Sequence, residues 1–121
     1  MAKRAKTGAV DYDTVRLAAA RLPGVEESTS YGTPALKVRG KLLARLREDG
    51  RTLVLKCDLI RREMLMQAAP EVFFVTDHYR DHPWVLIDLP KVSRKALPGL
   101  LEDAWRPLAG RKLLAEYGGG D

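Results

Sequence analysis

The chain has 121 residues, 45% of them hydrophobic and 31% charged, which is the composition of one globular domain and argues against a disordered chain. Its 21 Lys and Arg outnumber 16 Asp and Glu for a formal net charge of +5, which excludes an acidic solvating segment and permits an anionic partner. The single cysteine, Cys57, excludes an intrachain disulfide and fits a reducing compartment.

Residues 1–10 carry Lys3, Arg4 and Lys6 without periodicity and read as a flexible basic arm. No apolar core follows those charges, so no secretory leader is expected. No apolar run approaches the ~20 residues of a membrane span. The expected location is the cytoplasm, with no membrane partner.

The first helix is predicted over about Tyr12 to Leu22. Asp11 is placed to cap it, and Tyr12, Val15, Ala19 and Leu22 share one helical face. Pro23-Gly24 ends it, and residues 26–34 read as a polar loop. Apolar runs 35–38 and 41–47 flank Arg39-Gly40 and predict a tight hairpin. Alternation places Leu42, Ala44 and Leu46 on a dry face, with Lys41, Leu43, Arg45 and Arg47 on a wet one. A turn at residues 48–51 leads to a strand at 52–57, where Leu53, Leu55 and Cys57 share a side. Asp58 is placed to cap a second helix to about Ala69, with Ile60, Met64, Gln67 and Ala68 as its stripe and Leu59, Glu63 and Met66 beside it. Two strands follow, at 71–76 and 84–89, with the polar segment 77–83 between them. Ser93 is placed to cap a last helix to about Ala109, which Pro107 kinks or shortens. Residues 113–121 read as a flexible tail after a single domain spanning 11–112.

This order, α-β-β-β-α-β-β-α, predicts an α+β fold: a two-layer sandwich with an antiparallel sheet of about five strands under a layer of helices.

Several segments, taken in order, carry a resemblance. They are Leu22-Pro-Gly-Val-Glu-Glu27, Ser30-Tyr-Gly-Thr-Pro34, Leu36-Lys-Val-Arg-Gly-Lys41, Leu53-Val-Leu-Lys56, Pro70-Glu-Val-Phe-Phe-Val-Thr-Asp-His-Tyr79 and Pro83-Trp-Val-Leu86. Together they resemble the MmcQ/YjbR family over about residues 12–112. The resemblance implies a two-layer α+β fold similar to secretion chaperones, with two protruding hairpins described as a double wing, and a DNA-binding label. It supplies no established catalytic residues, so none are carried over.

The residues themselves point most sharply to segment 37–56. It holds seven cations, Lys37, Arg39, Lys41, Arg45, Arg47, Arg51 and Lys56, against Glu48 and Asp49. With Arg39 at a hairpin tip and the others along the strands, such a wing suits phosphate contacts and entry into a groove. The same pattern also serves as a solvated sheet that blunts its edges with charge.

The segment His78-Tyr-Arg-Asp-His82 with Trp84 is the second feature. Histidines at i,i+4 suit a metal only on a helix. Pro83 and the flanking strands predict a loop, so neither a metal nor a cofactor is expected. Tyr79 and Trp84 suit base stacking or packing of a hairpin onto its own sheet. Segment 28–33 lacks both phosphate-binding glycine patterns and reads as a turn. Cys57 reads as a core thiol. No nucleophile, base and orienting group are arranged together, so no enzyme is expected.

The leading expectation is therefore a monomeric, non-enzymatic protein that binds DNA through residues 37–56. An alternative is protein or peptide capture through Leu43 and Val54 on the wet face. Another is a small-ligand pocket between sheet and helices near Tyr31, His78, Tyr79 and Trp84.

Overall fold

A computed structural model describes residues 9–118. Three helices and six strands follow in the order α1 (Tyr12–Ala19), β1 (Val25–Ser30), β2 (Thr33–Val38), β3 (Lys41–Leu46), β4 (Thr52–Lys56), α2 (Leu59–Ala68), β5 (Phe73–Phe74), β6 (Trp84–Asp88) and α3 (Leu97–Gly118). The strands form one antiparallel sheet ordered β1-β2-β3-β4-β6-β5. The α+β sandwich is as expected, with one strand more.

The extra strand is β1, which occupies residues expected to form a loop. It is polar because it is an edge, its two-residue turn at Tyr31-Gly32 pairing it with β2. The hairpin at Arg39-Gly40 forms as predicted, with φ of 53° and 78°. Positive φ at both positions is the turn geometry that matches strand twist.

The caps predicted at Asp11 and Asp58 form, and the bond predicted for Ser93 forms ahead of its helix. Asp11 Oδ1 accepts from Thr14 N at 3.0 Å, Asp58 Oδ1 from Arg61 N at 2.8 Å, and Ser93 Oγ from Ala96 N at 3.2 Å. The first two satisfy donors at helix starts that have no partner within the helix, whereas Ser93 closes a turn ahead of α3, which starts only at Leu97. Helix α1 ends earlier than expected, at Ala19, and a turn carries Leu22 into the core.

Leu36, Val38, Leu53, Leu55, Val85 and Ile87 from the sheet pack with Val15, Ala19, Leu101 and Trp105 from α1 and α3. Trp105 is fully buried, and its indole Nε1 donates to Pro23 O at 2.8 Å. That bond satisfies the ring's only polar atom.

Two expectations about faces are corrected. The alternation in β3 is broken by a bulge: Leu36 faces Ala44 while Lys37 faces Leu42, leaving Leu43 unpaired. Leu43 and Ala44 therefore both enter the helix-side core, and Leu43 is fully buried. On α2, the predicted stripe is the solvent side, with Ile60 and Met64 exposed. Leu65 and, just past the helix end, Ala69 pack on the core instead, together with Met66 from beside that stripe.

The tail predicted from residue 113 is also corrected over its described part. Helix α3 passes Pro107, breaks at Gly110 (φ 79°, ψ 167°) and resumes to Gly118. Leu113, Leu114 and Tyr117 pack back against the core. Tyr117 lies edge-on to Trp105 at 5.0 Å, and its hydroxyl donates to Glu102 Oε1 at 2.9 Å. Val10, assigned to the arm, is buried. The rest of the arm (1–8) and of the tail (119–121) lies outside the described residues.

Candidate functional site

The sheet has a second face. In β4, Leu53 and Leu55 point into the helix-side core, so Val54 and Lys56 point the other way. The register extends this row across strands as Ala35, Arg45, Val54 and Leu86. Ala35, Val54 and Leu86 are buried yet lie outside the helix-side cluster. They form a smaller apolar layer.

The segment after β5 folds along this face, with a short 3₁₀ turn at Asp77–Tyr79. One guanidinium holds it. Arg62 Nη1 donates to the carbonyls of Tyr79 (3.3 Å), His82 (3.1 Å) and Trp84 (3.1 Å), and Nη2 donates to Arg80 O (2.7 Å). Charge-assisted bonds are the stronger class, and four from one side chain fix a segment that has little regular structure.

Between this segment and the sheet lies a cleft of about 200 Å³. Leu42 and Val54 form its floor, and Tyr31, Tyr79 and Trp84 supply aromatic walls. His78 and His82 stand at its rim, with Arg45 at one side. Arg45 is only 7% exposed. Its Nη1 donates to Thr33 Oγ1 at 2.9 Å and Leu46 O at 3.3 Å and lies 3.8 Å from Glu48. Its guanidinium also sits over the Tyr31 ring at 5.2 Å.

The other end of the sheet is different. Arg39 Nη1 reaches Leu108 O at 3.4 Å, resting against the break in α3. A Cβ on Gly110 would lie 2.8 Å from that nitrogen, and φ there is positive. Glycine thus permits both the break and the approach. Arg111 and Lys112 follow at once. Arg39, Lys41, Arg111 and Lys112 are all exposed, and none forms an ion pair with a carboxylate among the described residues.

A family model described as YjbR matches residues 20–107. The chain belongs to the YjbR family. A crystal structure of a YjbR-like relative, protein DR2400 of Deinococcus radiodurans with a DUF419 domain, superposes with a TM-score of 0.73. The two are 24% identical, over 91% of this chain and 89% of that one. No curated protein matches the chain. These likenesses place the fold within the family.

Within this YjbR fold the seven cations of segment 37–56 do not share one surface. The bulge sends Lys41 to the side of Val38 and Arg45 to the side of Val54, so the shared face predicted for Lys41, Arg45 and Arg47 is broken. Arg51 is engaged by Asp88, with Nε to Oδ1 at 2.9 Å and Nη2 to Oδ2 at 3.0 Å. Lys37 stands across from Glu26. Arg47 lies in the field of Asp49, and Lys56 Nζ lies 5.2 Å from the Trp84 ring centre. Arg39 and Lys41 remain at the tip.

The structure does bring Tyr31, His78, Tyr79 and Trp84 together, but on the face away from the helices and not between sheet and helices. Leu43 and Val54, expected to be an exposed capture patch, are buried. Sequence reasoning missed Arg62 and placed Arg111 and Lys112 only as cations at a helix end. Nothing in the sequence separates Arg62 from Arg61 beside it. The Gly110-Arg-Lys112 run after Pro107 was a signal for a basic break in the helix.

Cys57 is a core thiol. Burial, then the neighbouring Asp58 carboxylate, pushes it up to about 11, away from a reactive thiolate. No helix among the described residues is long and apolar enough to cross a membrane.

Proposed function

We propose that the protein binds nucleic acid through its phosphates, using Arg39 and Lys41 at the β2–β3 tip together with Arg111 and Lys112 after the helix break, and that it is a binding protein and not an enzyme. What supports this reading is the convergence of four exposed cations, two from each of two distant segments, on one end of the fold. Cations that form no ion pair with a carboxylate among the described residues exchange counterions for phosphates without breaking such a pair. The double-wing and DNA labels implied by the family resemblance agree with it. Fold likeness alone is a weak warrant for function, so the weight rests on the cluster.

Four neutralised phosphates give a slope of log affinity against log salt of about −3.6, a loss of roughly 150-fold between 50 and 200 mM salt. Fluorescence anisotropy of a labelled random-sequence duplex measures this slope. A flat salt response, or an Arg39→Glu/Lys41→Glu variant that binds like the parent, rejects the reading.

A further inference from the structure

We propose that the cleft on the helix-free face of the sheet is a binding site for a small aromatic carboxylate, separate from the basic tip. The first observation is Arg45. All of its hydrogen bonds among the described residues are made by Nη1. No buried side-chain nitrogen or oxygen among the described residues lacks a partner, so Nε and Nη2, which make no bond, keep accessible surface. Arg45 is otherwise buried, and the space it lines is the cleft. The Nε and Nη2 hydrogens form one edge of the planar fork, which matches the two oxygens of a carboxylate.

The second observation is the shape and lining. A cleft of about 200 Å³ exceeds the ~150 Å³ of an apolar cavity that takes benzene. It therefore fits one ring with a small substituent. Tyr31, Tyr79 and Trp84 offer ring faces and edges, while Leu42 and Val54 exclude water beneath. A ring on that floor with its carboxylate toward Arg45 satisfies both ends. A phosphate without a ring leaves the aromatic walls without a partner, and an apolar ring without an anion leaves the Arg45 fork to water. The site is also pre-set: Arg62 fixes the wall segment through four carbonyls, and Arg45 is held by Thr33. Such preorganisation lowers the cost of binding.

The test is an NMR titration of the full chain with benzoate, with benzyl alcohol (the ring without the charge) and acetate (the charge without the ring) as controls. Benzoate shifts the Trp84 indole signal and the amides of residues 77–84 saturably, with a dissociation constant on the order of 1 mM, as suits so small a ligand. The buried Trp105 indole serves as the internal reference. Benzyl alcohol and acetate bind at least about tenfold more weakly, since each loses one of the two recognition elements. Arg45→Gln removes the preference for benzoate over benzyl alcohol. Because Arg45 is buried and its loss can disturb the fold, Tyr31→Ala is the second variant. Tyr31 is 84% exposed, and its loss weakens benzoate about fivefold with the spectrum otherwise intact. Absence of saturation, equal response to benzyl alcohol or acetate, or unchanged affinity in Tyr31→Ala overturns the proposal.

Discussion

Arg39 and Arg45 lie six residues apart in one hairpin and meet opposite fates. Arg39 is exposed at the tip and leans on the break in α3. Arg45 is 7% exposed and is held by Thr33, a backbone carbonyl and the Tyr31 ring. A basic stretch in a sequence is therefore not a basic surface. One bulge at Leu43 separates the two ends of the stretch, and internal partners absorb part of its charge. The tip recovers charge from a segment some seventy residues away.

The contrast is broken most strongly at the remote half of the tip. Arg111→Glu/Lys112→Glu should lower affinity for duplex DNA on the order of 100-fold at 50 mM salt and make the salt slope about 1.8 shallower. Anisotropy checks this. An effect confined to the hairpin would dissolve the four-cation cluster.

Next in size is the wall of the cleft. Arg62→Met removes a guanidinium that serves four carbonyls and should cost about 2–3 kcal/mol in urea unfolding. Amide exchange should speed up first in residues 77–84. Uniform loss of protection across the sheet would mean that Arg62 supports the whole fold and not one segment.

The two regions should also differ in stability. Arg45→Gln is expected to cost about 1–2 kcal/mol through its buried hydrogen bonds, whereas Lys41→Ala should stay within about 0.5 kcal/mol. Equal costs in thermal melts would contradict the assignment of one as buried support and the other as free surface charge.

The smallest effect is at Cys57. Its folded value of about 11 lies above the 9.0 of an ordinary thiol, so the thiol's contribution to stability is complete below about pH 9 and is lost as pH rises toward 11. At pH 8 a thiol reagent should react only after denaturant is added. Immediate reaction in the native state would place Cys57 in an accessible site.

Much of the fold was legible because local chemistry acts alone there. Asp11 and Asp58 cap helices by short-range bonds, and Arg39-Gly40 sets its own turn. Strand β1 was not legible, because Glu26, Glu27, Ser28 and Thr29 belong to an edge whose pairing, and not its apolar pattern, makes it a strand. The bulge at Leu43 left no local mark, so the alternation that served β4 misled in β3. At the site, the aromatic and histidine residues could be gathered from the sequence, but the face they occupy could not. That depends on where the segment after β5 folds, which Arg62 decides from another element.

The most direct test of the central claim, that tip and cleft divide the work of one basic stretch, is a salt titration of DNA binding by three proteins: the parent, Arg39→Glu/Lys41→Glu and Arg45→Gln. The account predicts a slope of about −3.6 for the parent, about −1.8 for the tip variant and the parental value for Arg45→Gln. Three equal slopes, or a loss in Arg45→Gln as large as in the tip variant, would contradict it.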